Sequence, residues 1–312
     1  MENIQPLIDV VIPAFNAEKF LERAVNSVLK QTLLPQKLII VNDGSKDQTQ
    51  KIIEKLISEN TSSVKIISHT QSNSGPSAAR NKGIELSTSP FIALLDSDDE
   101  WLPHKLEKQM QIFQRSDSSK LGLIYCRYDV IDENSKIISG AEIIQPGKDL
   151  RGDVFRKFTH GNLISGSDSG VLLKRECFEK AGVFDTTLHA YEDWDMWLRI
   201  ALHYEFDYAD EILAHIRSHS GNMQKDFSHM NKNSILFYKK WLPMVDDKEV
   251  LRKWAFQVAK PAYASGFDKD YLAWVRKTFS PEDLRKLFNR TFGSLSIYLF
   301  LKRLTTKAKV KQ

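Results

Sequence analysis

Four short β-branched runs alternate with four stretches of helical period over residues 8–115, and this alternation constrains the fold more than any other feature. IDVVIPAF (8–15), KLIIVND (37–43), VKIIS (64–68) and PFIALLD (90–96) read as strands. Between and after them, residues 17–31, 45–59, 72–86 and 102–115 carry apolar side chains at helical spacing, such as Leu21, Ala24, Val25 and Val28 in the first. Asn16 is expected to cap that first helix, and Pro76 suits the first turn of the third. Strand followed by helix, repeated, predicts a mostly parallel sheet covered by helices on both faces, an α/β fold. In such sheets ligands bind beyond the carboxyl ends of the strands. Three of those ends carry polar clusters: Phe15-Asn16, Asn42-Asp43-Gly44-Ser45 and Asp96-Ser97-Asp98-Asp99.

The second half has a mixed pattern. LGLIYCRYDVID (121–132) and SKIISG (135–140) read as strands around a turn at Glu133-Asn134. GVLLKRECFEKAG (170–182) reads as a strand and then a short helix closed by Gly182, and YEDWDMWLRIALHY (191–204) as a helix that buries Trp194 and Trp197. From about Asp226 onward the pattern is mostly helical. The expected organisation is therefore a domain over 1–225, in halves 1–118 and 119–225, followed by a helical region over 226–312.

Composition narrows the classes. Of 312 residues, 42% are hydrophobic and 27% charged, as in an ordinary globular protein, and the net charge of +4 gives no footprint for nucleic acid. Cys126 and Cys177 lie far apart in no metal or redox spacing, which favours a reducing compartment over a disulfide framework. No secretory leader and no membrane span is expected, so the expected location is cytoplasmic. Residues 284–312 hold eight Lys or Arg and no Asp or Glu around a rough apolar stripe. Two readings stand level there: a surface-lying membrane helix, or a core-packing terminal helix with a basic end.

The stretch LLDSDDEW (94–101) places Asp96, Asp98, Asp99 and Glu100 within five positions just past a strand. Such carboxylates suit a hard divalent cation, Mg²⁺ or Mn²⁺, which commonly takes one or two carboxylates and completes its shell with phosphate oxygens. The alternative is a solvated turn, and the position at a strand's carboxyl end favours the cation. Asp43 can accept a hydrogen bond from the N3–H of a uracil or thymine ring, or can serve as a turn or cap residue. Arg80 can reach a base carbonyl or a phosphate, or can lie on the surface. Glu192 and Asp193 open a helix, where acids are favoured by the dipole alone; as a functional pair they offer a general base on a rigid element backed by Trp194. His219, in AHIRSHSGNMQ, can add a nitrogen to a cation site or be a plain loop residue.

VVIPAFN, VNDGSKDQT, NSGPSAARNKGIELS, FIALLDSDDEW, GVFDTTLHAYEDWDMWLRI and IRSHSGNMQ, in this order over about residues 8–220, resemble the family 2 glycosyltransferases of the GT-A fold. The resemblance implies a Rossmann-like sheet that binds a nucleotide-diphospho-sugar. Pro13, Ala14, Phe15, Asn16, Asp43, Arg80, Asp96 and Ser97 would line the nucleotide. Asp98 would bind the cation, with His219 approaching it. Asp193 would be the catalytic base, supported by Glu192 and Trp194. Inversion at the anomeric carbon follows from membership. Phe15 stands where many relatives have Tyr, which leaves ring contact without a phenolic hydrogen bond, and the Gln-x-x-Arg-Trp signature of processive synthases is absent.

The expected activity is transfer of a sugar from a UDP- or dTDP-sugar to a hydroxyl of a saccharide or lipid-linked acceptor in cell-surface polysaccharide synthesis. Two other classes compete with it. A nucleotidyltransferase usually needs a basic, glycine-rich phosphate loop that VVIPAFNAEKF lacks. A non-catalytic nucleotide-sugar-binding scaffold sits poorly with intact Asp98 and Asp193.

Overall fold

A computed structural model of the chain describes residues 7–138, 150–164, 168–222, 227–247, 249–251 and 253–254. The chain divides into two compact units, residues 1–222 and 223–312.

The first unit is built on one eight-stranded sheet. Its strands are β1 (Ile8–Ala14), β2 (Lys37–Asn42), β3 (Lys65–Thr70), β4 (Phe91–Leu94), β5 (Glu100–Trp101), β6 (Leu121–Ile131), β7 (Leu172–Lys174) and β8 (Glu205–Arg217), in spatial order β3-β2-β1-β4-β7-β6-β8-β5. The β3-β2-β1-β4 half is parallel throughout. β7 and β5 pair antiparallel to their neighbours, while β6 and β8 run parallel to each other. Helices α1 (Leu21–Leu29), α2 (Thr49–Ser58), α3 (Pro76–Leu86), α4 (Lys105–Arg115), α5 (Phe155–Thr159), α6 (Glu176–Ala181) and α7 (Glu192–Ala201) complete the unit. The expected α/β sheet is therefore the observed one.

β1 is the central strand of the parallel half, and every one of its residues is buried, as a strand covered on both faces requires. The chain moves outward from β1 to β2 and β3, then returns to the other side of β1 as β4. That reversal opens a crevice at the carboxyl ends of β1 and β4. Helix α3 lies hard against β1: a Cβ added at Gly83 would fall 2.2 Å from Val11 Cγ1. Glycine at this position lets the helix approach, and the approach brings Arg80, one turn earlier, to the crevice.

Three details depart from expectation. Asn16 does not cap α1, whose N-cap is Phe20; Asn16 instead takes φ 48° and turns the chain out of β1. Residues 135–140 do not form a strand over their described part, where only an isolated bridge joins Ile131 to Ile137; residues 139–140 lie outside the described residues. β5 and β8 are additions. β8 shows no clean alternation because its pairing with β6 shifts register where β6 passes Cys126, Arg127 and Tyr128. Its exposed Asp210, Glu211 and Ile212 fall in that irregular stretch, as at a β-bulge.

In the second unit α8 (Phe227–Trp241) is followed by helical residues at 249–251 and 253–254. Phe237, Tyr238 and Trp254 are buried together, with the Tyr238 and Trp254 rings 5.1 Å apart. No helix among the described residues is long and apolar enough to cross a membrane. The basic segment 284–312 lies outside the described residues. Cys126 and Cys177 are buried and unbridged.

Candidate active site

The loops after β1 and β2 are laced together by polar side chains. Asn16 N–H donates to Ser45 Oγ at 2.9 Å, Lys46 N–H to Asn16 Oδ1 at 2.8 Å, and Ala17 N–H to Thr49 Oγ1 at 2.8 Å. This explains why Asn, Ser and Thr recur in both motifs. Gly44 takes φ +73°, and a Cβ there would meet Asn73 N at 2.8 Å. Pro13 and Ala14 are buried in β1, whereas the next residue, Phe15, leaves its ring 49% exposed. Asp43 is buried and accepts hydrogen bonds from Gln71 Nε2 at 2.8 Å, Ser74 N–H at 2.9 Å and Gly75 N–H at 2.8 Å. Gly75 is the N-cap of α3, so Asp43 holds the entrance of that helix across the crevice.

The acidic loop 96–99 is stretched between β4 and β5, and its carboxylates point to three different partners. Asp96 accepts from Arg80 Nη2 at 2.7 Å. Asp98 Oδ2 lies 2.9 Å from His219 Nε2. Asp99 turns inward, is buried, and accepts from Ser169 Oγ at 2.6 Å and Arg217 N–H at 2.8 Å. Burial pushes the Asp99 carboxyl well above the ordinary range, with Asp98 and Asp96 adding to the effect. Half-buried Ser97 sits beside Asp98.

Arg217, fully buried, clamps this loop. It donates from Nε to Asp98 O at 2.7 Å and from Nη1 to Asp132 O at 2.5 Å, and its Nη2 pairs with Glu100. The Phe20 ring packs under both ends of the segment, 4.9 Å from the Arg217 guanidinium and 5.1 Å from the His219 ring. His219 Nδ1 accepts from Gly221 N–H at 3.1 Å. The proton of the neutral ring is therefore on Nε2, facing Asp98.

Among the described residues no group of three or more His, Cys, Asp or Glu is set to hold a metal ion. Asp98 and His219 alone offer one carboxylate oxygen and one imidazole nitrogen side by side. That pair fits a divalent cation whose shell is completed by diphosphate oxygens and water. Binding through His219 Nε2 would shift the ring proton to Nδ1 and cost the hydrogen bond from Gly221 N–H.

The far wall of the crevice is the start of α7. Tyr191 takes the left-handed conformation, φ 66°, and the helix opens with Glu192 and Asp193. Trp194 is buried and donates Nε1–H to Phe158 O at 2.8 Å, fixing that turn on α5. Asp193 accepts from Asn162 Nδ2 at 2.7 Å and from Trp194 N–H at 2.6 Å. Burial and then the neighbouring Glu192 charge push its carboxyl up to about 7, against the pull of those two hydrogen bonds and of Arg80. A carboxylate poised there is matched to taking a proton near neutral pH.

One guanidinium spans the two walls. Arg80, 5% exposed, reaches Asp96 with Nη2, Glu192 with Nη1 at 3.3 Å and Asp168 with Nε at 2.7 Å. The Nε contact is an ion pair and not a hydrogen bond, because the N–H does not aim at the carboxylate. Burial pushes the Asp168 carboxyl well above the ordinary range although Arg80 opposes it.

Asn162, Asp168 and Arg217 are not predicted from sequence, and Asp99, expected among the cation-binding carboxylates, turns inward instead. For Asp168 the signal in the sequence is ISGSDSG (164–170), which interrupts the hydrophobic pattern just before a strand.

The fold and site together define a family. The model for "Glycosyl transferase family 2" matches residues 9–181, and the chain belongs to that family. It is 32% identical over 223 residues to an uncharacterized glycosyltransferase of Nostoc sp., covering 69% of this chain and 66% of the relative. It is 28% identical over 197 residues to WfgD of Escherichia coli, a UDP-Glc:alpha-D-GlcNAc-diphosphoundecaprenol beta-1,3-glucosyltransferase, covering 62% of this chain and 69% of WfgD. The chain spans between 40% and 66% of the length of the first relatives it matches. Among solved structures it is similar to S. aureus TarS in complex with UDP-GlcNAc, with a TM-score of 0.58 at 16% identity over 86% of this chain and 83% of that one. At that identity the likeness is one of fold.

Proposed function

We propose that the chain is an inverting, cation-dependent glycosyltransferase that moves a sugar from a UDP- or dTDP-sugar to a hydroxyl of a saccharide or lipid-linked acceptor in cell-surface polysaccharide synthesis. The observation that carries this reading is the Arg80 bridge. It joins Asp96, at the end of β4, to Glu192, beside Asp193. A donor whose nucleotide lies over Phe15 and whose diphosphate lies by Asp98 presents its sugar between those walls.

In this reading the acceptor oxygen attacks the anomeric carbon from the face opposite the diphosphate. The carbon–oxygen bond to the diphosphate breaks and its electron pair leaves with the nucleotide. The acceptor's proton passes to a carboxylate oxygen of Asp193, which Asn162 and Trp194 hold in place. Asp98 and His219 would hold a divalent cation, which would supply positive charge beside the leaving diphosphate. Exposed Phe15 stacks on the base, and Asp43 on the opposite loop accepts its N3–H. WfgD's named substrates support a UDP-sugar and a lipid-linked acceptor. Residues 284–312 are proposed as a peripheral membrane contact.

The test is UDP release from UDP-glucose and UDP-N-acetylglucosamine with Mn²⁺, with and without simple saccharide acceptors. Cation-dependent release that Asp98→Ala abolishes is expected. No release with any UDP- or dTDP-sugar overturns the reading.

A further inference from the structure

Four carboxylates surround one cation in this crevice. Asp96, Asp168 and Glu192 each pair with Arg80, and Asp193 adjoins Glu192. The guanidinium is planar and offers its donors along fixed edges. Here each of its nitrogens faces one carboxylate: Nη2 faces Asp96, Nη1 faces Glu192 and Nε faces Asp168. Asp193 is left to neutral donors, the Asn162 amide and the Trp194 N–H.

Asp168 is the member of this set that needs explaining. It is 2% exposed, and among the described residues neither of its oxygens accepts a hydrogen bond. A buried carboxylate without hydrogen bonds is costly, and packing alone would be served better by a small neutral residue. Its one ionic partner is Arg80 Nε. Building on the reading of Asp193 as the base, we propose that Asp168 is a positioning residue: by occupying the Nε edge of Arg80 it keeps that guanidinium off Asp193 and leaves the base free to take a proton.

Among the described residues, the charged and titratable groups facing Asp193 are Arg80 on α3, Asp168 on the turn before β7, and Tyr191 and Glu192 at the start of α7. Loss of the Asp168 charge acts on Asp193 in one direction by two routes. It removes a repelling carboxylate, and it frees a guanidinium edge to pair with Asp193. Both favour the ionised base and make it a weaker one.

The experiment is the pH dependence of UDP release from UDP-glucose and UDP-N-acetylglucosamine by the full chain with Mn²⁺. Asp168→Asn is expected to lower the maximal rate at least about tenfold and to move the acidic limb at least about half a unit to lower pH. Asp168→Glu, which keeps the charge, restores the wild-type limb. A lowered rate with an unmoved limb means that Asp168 only packs, and overturns the proposal. Should Asp168→Asn fail to fold, as circular dichroism would show, Asp168→Ser gives the same test: its limb is expected to move to lower pH, and an unmoved limb again overturns the proposal. Asp193→Asn separates the two layers. If that variant keeps wild-type turnover, the assignment of the base itself is wrong. If it is inactive while the Asp168 limb stays put, only the role of Asp168 is wrong.

Discussion

Asn162 Nδ2 donates to Asp193 Oδ2 at 2.7 Å across 31 positions of sequence, and this bond joins the segment after α5 to the first turn of α7. It favours the ionised form of Asp193, opposing the burial that raises its carboxyl to about 7. Asn162→Ala therefore moves the acidic limb of the rate profile to higher pH and lowers turnover at neutral pH by about tenfold. An unchanged profile would mean that Asn162 does not hold the base.

The same raised carboxyl has a stability signature that is independent of turnover. Between the ordinary value of 3.8 and about 7, the folded protein holds a proton on Asp193 that the unfolded chain has released. Stability then falls as pH rises through that window. Asp193→Asn removes the effect, so its gain in melting temperature over wild type is expected to be larger at pH 8 than at pH 4. Thermal unfolding at the two pH values checks this, and an equal difference at both contradicts it.

Asp98 and His219 face each other at 2.9 Å, with the ring proton between them. Asp98→Ala is expected to remove the Mn²⁺ dependence of UDP binding in calorimetry, and His219→Ala to weaken it by several fold. If His219 ligates the cation through Nε2, the ring proton moves to Nδ1 and the bond from Gly221 N–H is lost, so no net proton is released and the binding enthalpy carries no His219 dependence on buffer. Chelation by EDTA should reproduce the Asp98→Ala result in wild type.

Close approach of α3 to β1 depends on Gly83. Ala at this position drives a methyl into Val11, at a cost of about 1–3 kcal/mol. Val11→Ala in the same chain should recover part of that loss, because the two changes share one space. Denaturant unfolding of the two single variants and the double variant measures the coupling. Additive losses would show that the helix simply shifts.

Legibility in the sequence followed chain distance. β1 to β4 and α1 to α4 were readable because short, continuous apolar runs alternate with stretches of helical period, and the loops bearing Asp43 and Asp96 follow from that alternation. β8 was not readable, since an irregular pairing places Asp210, Glu211 and Ile212 outward in succession. Spacing also could not separate Asp96, Asp98 and Asp99. Adjacent in sequence, they part company because Ser169 and Arg217, far along the chain, draw Asp99 inward. Asn162 and Asp168 lie in a stretch with no periodic pattern, and their partners, Asp193 and Arg80, belong to other elements. Asn16 looked like a cap because of its residue type, but its side chain accepts from Lys46 N–H in the neighbouring loop.

The central claim is that this crevice binds a nucleotide-sugar and that Asp193 takes the acceptor's proton. The most direct test compares wild type with Asp193→Asn for UDP release from UDP-glucose and UDP-N-acetylglucosamine with Mn²⁺, alongside UDP affinity. Expected are a wild-type rate that rises with pH through about 7, a loss of about 100-fold or more in the variant, and UDP affinity unchanged within about twofold. Wild-type turnover in Asp193→Asn would contradict the claim.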